Sequence, residues 1–172
     1  QRVLAAPTVV ALGVAGRFGR AFSGIYSAIM AITYLLDHLA VGPYLDALNP
    51  PADIDALLNV AEEKELPASP AIEERLVHHV PITDMQPIPA GQLEEAVRWI
   101  DDHIEEHRIL LFCNAGVGRS PSVAVAYLCC YRGYGFGEAV EYVARKKPDV
   151  STLPELIERI EAVKNRLNTE GE

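Results

Sequence analysis

The run Ile109 to Cys113 (Ile-Leu-Leu-Phe-Cys) is apolar at every position, and it constrains the fold more than any other segment. A strand with one solvated face alternates apolar and polar residues, whereas a strand covered on both faces is apolar throughout. The run therefore predicts a central strand of a sheet with helices on both sides. A second uncharged segment, Val123 to Tyr131, follows after a short loop and predicts a buried helix.

From Asp37 onward, short apolar runs alternate with segments of helical periodicity. Further strands are predicted at His38 to Gly42, Ile54 to Val60 and Leu76 to Ile82. Apolar stripes predict three amphipathic helices: Leu93 to Ile104, Gly137 to Lys147, and Leu156 to Leu167 after a capping box of Thr152 and Glu155. We therefore predict an α/β fold with a mostly parallel central sheet of four to five strands flanked by helices.

The first 36 residues differ in charge from the remainder. They contain three arginines and no acid, which gives them a charge of +3. Since the whole chain has a net charge of −9, the other 136 residues carry −12. Residues 21–36 lack any charge, but a membrane-spanning helix needs about 20 apolar residues. Four apolar side chains predict an amphipathic helix by their spacing: Ile25, Ile29, Ile32 and Leu36.

This helical N-terminal segment, residues 1–36, has two interpretations. It packs on the domain or on a second copy of the chain, giving a homodimer, or it associates with a membrane surface. We expect the remaining chain to comprise one catalytic domain over residues 37–168 and a polar tail over residues 169–172.

The overall composition excludes several classes of protein. A chain of 172 residues is long enough for one domain with a full core and too short for two ordinary domains. Fifteen basic against 24 acidic residues disfavour binding to nucleic acid. Three cysteines, two of them adjacent, exclude a disulfide framework and a four-thiolate zinc site. A chain without a disulfide framework is typical of a reducing compartment. We therefore expect a cytoplasmic protein, which associates with a membrane if its N-terminal segment binds lipid.

The residues between the central strand and the buried helix have the composition of a phosphate-binding loop. They are Cys113, Asn114, Ala115, Gly116, Val117, Gly118, Arg119 and Ser120. The two glycines allow successive N–H groups to point into one cavity, and the helix N-terminus adds positive potential there. Because a guanidinium offers a planar pair of donors, we expect residues 114–118 to surround a phosphate that Arg119 clamps.

Cys113 lies at the base of this predicted loop. The amides, the helix dipole and Arg119 all favour its thiolate over its thiol. A thiolate can attack phosphorus and form a phosphocysteine intermediate, and Ser120 can donate to the sulfur when it leaves. Since thiolate and arginine supply the required chemistry, we expect no metal and no cofactor.

Cys113 to Arg119 form a Cys-x5-Arg motif, and Cys-Asn-Ala-Gly-Val-Gly-Arg-Ser-Pro-Ser-Val-Ala closely resembles the same segment of dual-specificity protein phosphatases. This resemblance to a family of the tyrosine phosphatase superfamily covers about residues 37–168. It implies a tyrosine-phosphatase-like fold, Cys113 as the nucleophile and Arg119 as the phosphate clamp. It also implies a general acid on a loop before the catalytic strand, where this chain has Asp84 after a strand and before a helix.

The chain departs from the family pattern immediately before the nucleophile. Phe112 stands where the family usually has a histidine that orders the loop and tunes the thiolate. We predict a cysteine-dependent phosphatase that acts on phosphotyrosine and phosphoserine or phosphothreonine in proteins. Two alternatives remain open: a phosphatase for lipid or other non-protein monoesters at a membrane, and a phosphate-binding adaptor with little turnover. The neutral side chains of Asn114, Ala115 and Val117 favour substrates recognised by a single phosphate.

Overall fold

The structure, a computed structural model, describes residues 31–170 and has a five-stranded sheet at its centre. The strands are β1 (Thr33–Leu36), β2 (Leu39–Pro43), β3 (Ala56–Ala61), β4 (Leu76–Ile82) and β5 (Ile109–Cys113). Their order across the sheet is β1-β2-β5-β3-β4, with β1 antiparallel to β2 and all other neighbours parallel. The predicted α/β fold with a mostly parallel sheet is confirmed, and β5 is its central strand.

The described residues contain two short and four longer helices, of which the first three lie between strands and the last three follow β5. They are α1 (Tyr44–Ala47), α2 (Pro70–Glu73), α3 (Ala90–His103), α4 (Arg119–Tyr131), α5 (Phe136–Lys146) and α6 (Leu156–Glu170). The longer four lie close to the predicted helices. Helix α4, the predicted buried helix, is buried along most of its length, from Arg119 to Cys129. No helix within residues 31–170 is long and apolar enough to cross a membrane.

The sheet separates two apolar cores of unequal size. Ile109, Leu111 and Cys113 of β5 belong to the larger core, which α3, α4, α5 and α6 cover. Leu110 and Phe112 point to the other face and belong to the smaller core, which includes residues of α1 and α2. Because each fully buried aliphatic side chain stabilises the fold by about 1.5–3 kcal/mol, burial on both faces fixes β5 as the rigid centre.

The end of the N-terminal segment differs from its predicted helix. Residues 33–36 form β1, in which Thr33 and Tyr34 pair with Val41 and Ala40 of β2. Leu35 is buried in the larger core, so ladder hydrogen bonds and burial outweigh the helical spacing that ended at Leu36. Ile25, Ile29 and the rest of the predicted helix up to residue 30 lie outside the described residues, and the division of the chain at residue 36 stays a prediction.

The capping box predicted before the last helix is also wrong. Helix α6 begins at Leu156, four residues after Thr152, and Glu155 directly before it has a left-handed φ of 55°. The preceding loop is instead held by Leu153, which is buried and donates its N–H to Ser122 Oγ of α4 at 2.9 Å. This tertiary contact delays the start of the helix.

Candidate active site

Cys113 is the last residue of β5, and α4 begins only six residues later at Arg119. Residues 114–118 form the loop between them, at the carboxyl end of the central strand. The carbonyl of Asn114 accepts a hydrogen bond of 3.1 Å from the N–H of Tyr44, which follows β2. The neighbouring strand β2 therefore supports the start of the loop.

Gly116 is required by the close approach of this loop to β2. Its φ is +74°, in the left-handed region that favours glycine. A Cβ at this position would lie 2.7 Å from the carbonyl carbon of Gly42 and 2.9 Å from the nitrogen of Pro43. Both contacts are with backbone, which cannot move aside as the end of a side chain can, so a larger residue would displace the loop.

Ser120 lies directly beside the sulfur of Cys113. The two side-chain atoms, Sγ and Oγ, are 3.3 Å apart, and both residues are buried. A hydroxyl at this distance can donate to a thiolate. The structure therefore brings together the nucleophile and the thiolate donor that the sequence predicted.

Arg119 is the most deeply buried cation of the site, with only 1% of its side chain exposed. Its two terminal nitrogens each donate to one carboxylate oxygen of Glu63 at 2.6 Å, and Nη1 also donates to the carbonyl of Ile82 at 3.0 Å. Nε has no hydrogen-bond partner among the described residues. Because Nε–H and one N–H of Nη2 share the side edge of a guanidinium, that edge keeps a donor pair for phosphate.

Glu63 is the site residue that the sequence analysis missed. Hydrogen bonds from Arg119 lower the pKa of the Glu63 carboxyl from 4.5 to about 2, and the same hydrogen bonds raise the pKa of Arg119. A signal for it was present, because Glu63 follows β3. The carboxyl ends of parallel strands meet at one edge of a sheet, so this acid belongs to the same edge as Cys113.

Asp84 lies at that edge as well, two residues after the end of β4. One oxygen, Oδ1, accepts the N–H of Met85 at 2.9 Å, and Oδ2 is 3.6 Å from Nη2 of Arg119. About half of the Asp84 side chain is exposed, 56% against 1% for the arginine. The carboxyl thus lies close to Arg119 and remains open to solvent.

A cavity of about 360 Å³ opens above Cys113. One wall is the loop before α6, which is fixed to the phosphate loop because the N–H of Ser151 donates to the carbonyl of Val117 at 2.8 Å. The other lining residues of the cavity are mostly apolar: Met85, Ala115, Val117, Leu153 and Pro154, together with Asp84, Gly118 and Thr152. The cavity therefore suits a single phosphate on an apolar group.

Phe112 does not face this cavity. It is fully buried in the smaller core on the opposite side of the sheet, with its ring centroid 6.4 Å from that of Tyr44. An apolar ring fits this environment without an unsatisfied polar group. The hydrogen bond from the N–H of Tyr44 to Asn114 and the packing of Gly116 on Gly42 hold the loop in this chain.

A larger cavity, about 830 Å³, opens at the amino ends of β2 and β5. Its lining mixes both signs of charge: Asp37, Asp53, Glu105, Arg108, Arg132 and Lys146. The five residues of β5 separate it from Cys113 by about 13 Å. It is therefore distinct from the candidate active site.

The other ionisable side chains suggest no second centre. Burial raises the pKa of Cys129 and raises that of Cys130 to about 12, so both favour the thiol. Among the residues that the structure describes, no group of three or more histidines, cysteines and acids is arranged to hold a metal ion.

A cysteine at the carboxyl end of a central parallel strand, followed by a glycine loop and a buried arginine, defines a phosphate-binding site of the tyrosine-phosphatase type. Residues 41–166 match the family model described as dual specificity phosphatase, catalytic domain. The chain belongs to this family, as the motif resemblance predicted.

Similar proteins agree with this assignment. Protein-tyrosine-phosphatase IBR5 of Arabidopsis thaliana is 30% identical over 71 residues, which cover 41% of this chain and 28% of that protein. Dual specificity protein phosphatase 5 of Rattus norvegicus is 34% identical over 101 residues, 57% of this chain and 25% of that protein. The chain thus spans about a quarter of the length of these relatives.

A solved structure resembles about four-fifths of the chain. The crystal structure of Tk-PTP in the active form is 31% identical, with a TM-score of 0.66, and the match covers 78% of this chain and 97% of that one. The fold is therefore shared with a protein that is almost entirely covered by the match.

Proposed function

We propose that this chain hydrolyses phosphate monoesters in proteins, on tyrosine and also on serine or threonine, through a phosphocysteine intermediate. One observation carries the proposal. Cys113 Sγ lies 3.3 Å from Ser120 Oγ at the base of the loop that leads into Arg119, whose Nε has no hydrogen-bond partner among the described residues. These are the parts that a thiolate attack on a clamped phosphate requires.

In the first step, the Cys113 thiolate attacks phosphorus, and the bond between phosphorus and the substrate oxygen breaks. The amides of residues 114–118 and the side edge of Arg119 stabilise the charge that builds on the equatorial oxygens. Asp84 gives its proton to the departing oxygen. It is needed because the phenol of tyrosine has a pKa of about 10, and the alkoxide of serine or threonine is a still poorer leaving group.

In the second step, a water molecule attacks the phosphocysteine, and the sulfur leaves as a thiolate. Asp84 accepts the proton of that water, which returns the carboxyl to its initial state. Ser120 donates a hydrogen bond to the departing sulfur at the distance seen in the structure. Inorganic phosphate is then released. The cycle balances because water replaces the substrate oxygen on phosphorus and returns to Asp84 the proton that the leaving group took.

The test is hydrolysis of 4-nitrophenyl phosphate in the presence of EDTA, comparing the wild type with Cys113→Ser. We expect turnover that resists the chelator and that the substitution abolishes. Cys130→Ser is the matched control, since Cys130 is a half-buried cysteine on α4 outside the cavity. The control variant should retain wild-type turnover.

Two other outcomes of this test favour the alternative functions. Absence of turnover by the wild type from pH 5 to 8, with tight binding of a phosphopeptide, would favour the phosphate-binding adaptor that Phe112 suggested. Turnover of lipid monoesters on vesicles above that of any phosphopeptide would favour the membrane phosphatase.

The segment over residues 1–36 carries the remaining proposals about partners. Its charge of +3 and its apolar composition support association with an anionic membrane surface or with a second copy of the chain. Liposome flotation and analytical ultracentrifugation of the full chain test these two alternatives. Cytoplasmic location stays a prediction.

A further inference from the structure

The segment that follows β3 lies beside the candidate active site, because its Glu63 is paired with Arg119. Residues 62–65 read Glu-Glu-Lys-Glu, and all three glutamates are exposed. We name Glu62, Glu63 and Glu65 the acidic rim. The chemistry proposed above uses none of these three carboxylates as nucleophile, acid or base.

Contacts tie each part of the acidic rim to a different part of the site. Glu62 accepts a hydrogen bond of 2.8 Å from the hydroxyl of Thr83, the residue before Asp84. Glu63 binds both terminal nitrogens of Arg119. The rim therefore lies beside both the general acid and the phosphate clamp.

Glu65 is tied to the phosphate loop through Tyr44. Its backbone carbonyl accepts the hydroxyl of Tyr44 at 2.8 Å, and the N–H of the same tyrosine donates to the carbonyl of Asn114. Its carboxylate takes no part in this contact. The side chain can be changed without removing the bond that positions the segment.

The phosphate position itself is marked by an independent feature. Nε of Arg119 is buried and has no hydrogen-bond partner among the described residues, although only 1% of this side chain is exposed. A buried donor that the protein leaves unpaired is suited to an acceptor such as a bound phosphate oxygen. The site is therefore built for one phosphate, while the acidic rim repels any further anion beside it.

The positive charges near the site do not neutralise the rim. Lys64 lies over the ring of Tyr44, with Nζ 5.0 Å from its centroid, and the charge of Arg119 is paired with Glu63. Asp84 adds one more carboxylate, and no lysine or arginine is among the described residues that line the cavity. Because the proposed first step needs a protonated Asp84, the charges around a bound phosphate are Glu62 and Glu65 against Lys64, a net charge of −1.

We propose that the substrates are phosphoprotein segments whose phosphorylated residue is flanked by lysine or arginine. The acidic rim attracts cations that flank the phosphorylated residue. It repels flanking acids and the extra phosphates of a polyphosphorylated headgroup. This inference rests on the proposed phosphatase function and names the substrate class of the same site. It concerns specificity, so it can fail while the phosphatase function stands.

The experiment compares two phosphotyrosine peptides of equal length, one with two lysines on each side of the phosphotyrosine and one with two glutamates. We expect kcat/KM to be about tenfold higher for the basic peptide at low ionic strength, with the ratio falling toward one at high salt. A soluble phosphoinositide headgroup forms a third arm and should be the poorest substrate. 4-Nitrophenyl phosphate, which has no flanking charge, reports separately on the phosphatase function.

The matched variants are Glu65→Lys and Glu106→Lys, which change the charge equally. Glu106 is exposed in the turn before β5, at the opposite end of the sheet. Glu65→Lys should reduce the ratio between the peptides at least about threefold, while Glu106→Lys should leave it unchanged.

Three results would overturn the inference while 4-nitrophenyl phosphate is still cleaved. They are equal or better cleavage of the acidic peptide, a headgroup that exceeds both peptides, and the same ratio in Glu65→Lys as in the wild type. Loss of 4-nitrophenyl phosphate turnover would instead contradict the proposed function.

Discussion

Arg119 and Asp84 are 3.6 Å apart, yet the fold holds these two charged groups in opposite ways. Arg119 is 1% exposed and is fixed by two hydrogen bonds to Glu63 and one to the carbonyl of Ile82. Asp84 is 56% exposed and accepts one hydrogen bond, from the N–H of the next residue.

The difference corresponds to the two tasks in the proposed reaction. A phosphate clamp gains from a fixed donor geometry, because a preorganised donor needs no reorganisation when charge develops. A general acid must reach different leaving groups and later a water molecule, so it has to remain accessible. Buried arginine and exposed aspartate therefore predict different responses to substitution.

The largest effect on kcat/KM is expected when Arg119 is replaced by a side chain of the same charge and a different shape. Arg119→Lys replaces a planar pair of donors by an ammonium, which cannot bind Glu63 and phosphate at once. We expect kcat/KM for 4-nitrophenyl phosphate to fall about 10³-fold. Steady-state kinetics measure the loss, and circular dichroism reports whether the variant is folded.

A matched control for this substitution is Arg75→Lys. Arg75 also donates to backbone carbonyls, including that of Ile54 at 2.7 Å, but far from the cavity. This variant should lose stability and keep its activity per folded molecule. If Arg119→Lys retained wild-type kcat/KM, the fixed guanidinium would not be the clamp.

The exposed group should show an effect that depends on the leaving group. Asp84→Asn removes the proton donor and leaves the turn in place, since an amide oxygen can accept the N–H of Met85. We expect kcat to fall about 10²-fold for phenyl phosphate and much less for 4-nitrophenyl phosphate, whose leaving group needs little protonation. Equal losses with both esters would assign the acid role to another residue.

The two sides of the comparison were not equally open to prediction from the sequence. Cys113, Arg119 and Ser120 lie within eight consecutive residues, between an apolar strand and a buried helix, so their spacing predicts a shared site. Asp84 was predicted from the family resemblance, because it follows a predicted strand and precedes a predicted helix. The structure brings all four residues to one edge of the sheet.

Glu63 was missed although it also follows a predicted strand. Its partner is 56 positions away in the chain, and only the order β5-β3 shows that the two strands are neighbours. Strand β1 was missed for a similar reason, because its ladder with β2 and the burial of Leu35 are tertiary effects. Local patterns predict elements well, whereas pairings between distant elements decide the rest.

Ser120 is buried like Arg119, but its substitution should slow only the second step, the hydrolysis of the phosphocysteine. Ser120→Ala removes the hydroxyl that lies 3.3 Å from the sulfur, so the thiolate leaves less readily. A hydrogen bond to a charged group contributes about 1.5–3 kcal/mol, which corresponds to between about 10- and 100-fold in that step. Rapid-mixing kinetics should show a burst of nitrophenol followed by slow turnover, and a phosphocysteine that mass spectrometry detects after acid quench. A variant without a burst, slowed before nitrophenol release, would contradict this role.

The smallest effect on the kinetics is expected when Arg119 is kept and its partner Glu63 is weakened. Glu63→Gln retains one hydrogen bond to Arg119 and loses the charge, so the guanidinium is held less firmly. We expect KM for 4-nitrophenyl phosphate to rise about fivefold with little change in kcat, because a ground-state phosphate and the transition state both use the clamp. Glu73→Gln, an exposed glutamate on α2, is the control and should change neither constant.

Glu63→Gln also tests the interaction between Glu63 and Arg119, through the pH dependence of the protein's stability. In the folded protein the pKa of Glu63 is lowered to about 2 from 4.5 by the hydrogen bonds of Arg119. A group with a depressed folded-state pKa stabilises the fold above its unfolded pKa, and this contribution is lost as pH falls through the folded value. The urea midpoint of Glu63→Gln should therefore lie below that of the wild type at pH 6, with the gap narrowing as pH falls from about 4.5 toward 2. A gap that stayed constant over this range would mean that the glutamate supports Arg119 by packing alone, and the contrast with Asp84 would then rest on burial and not on charge.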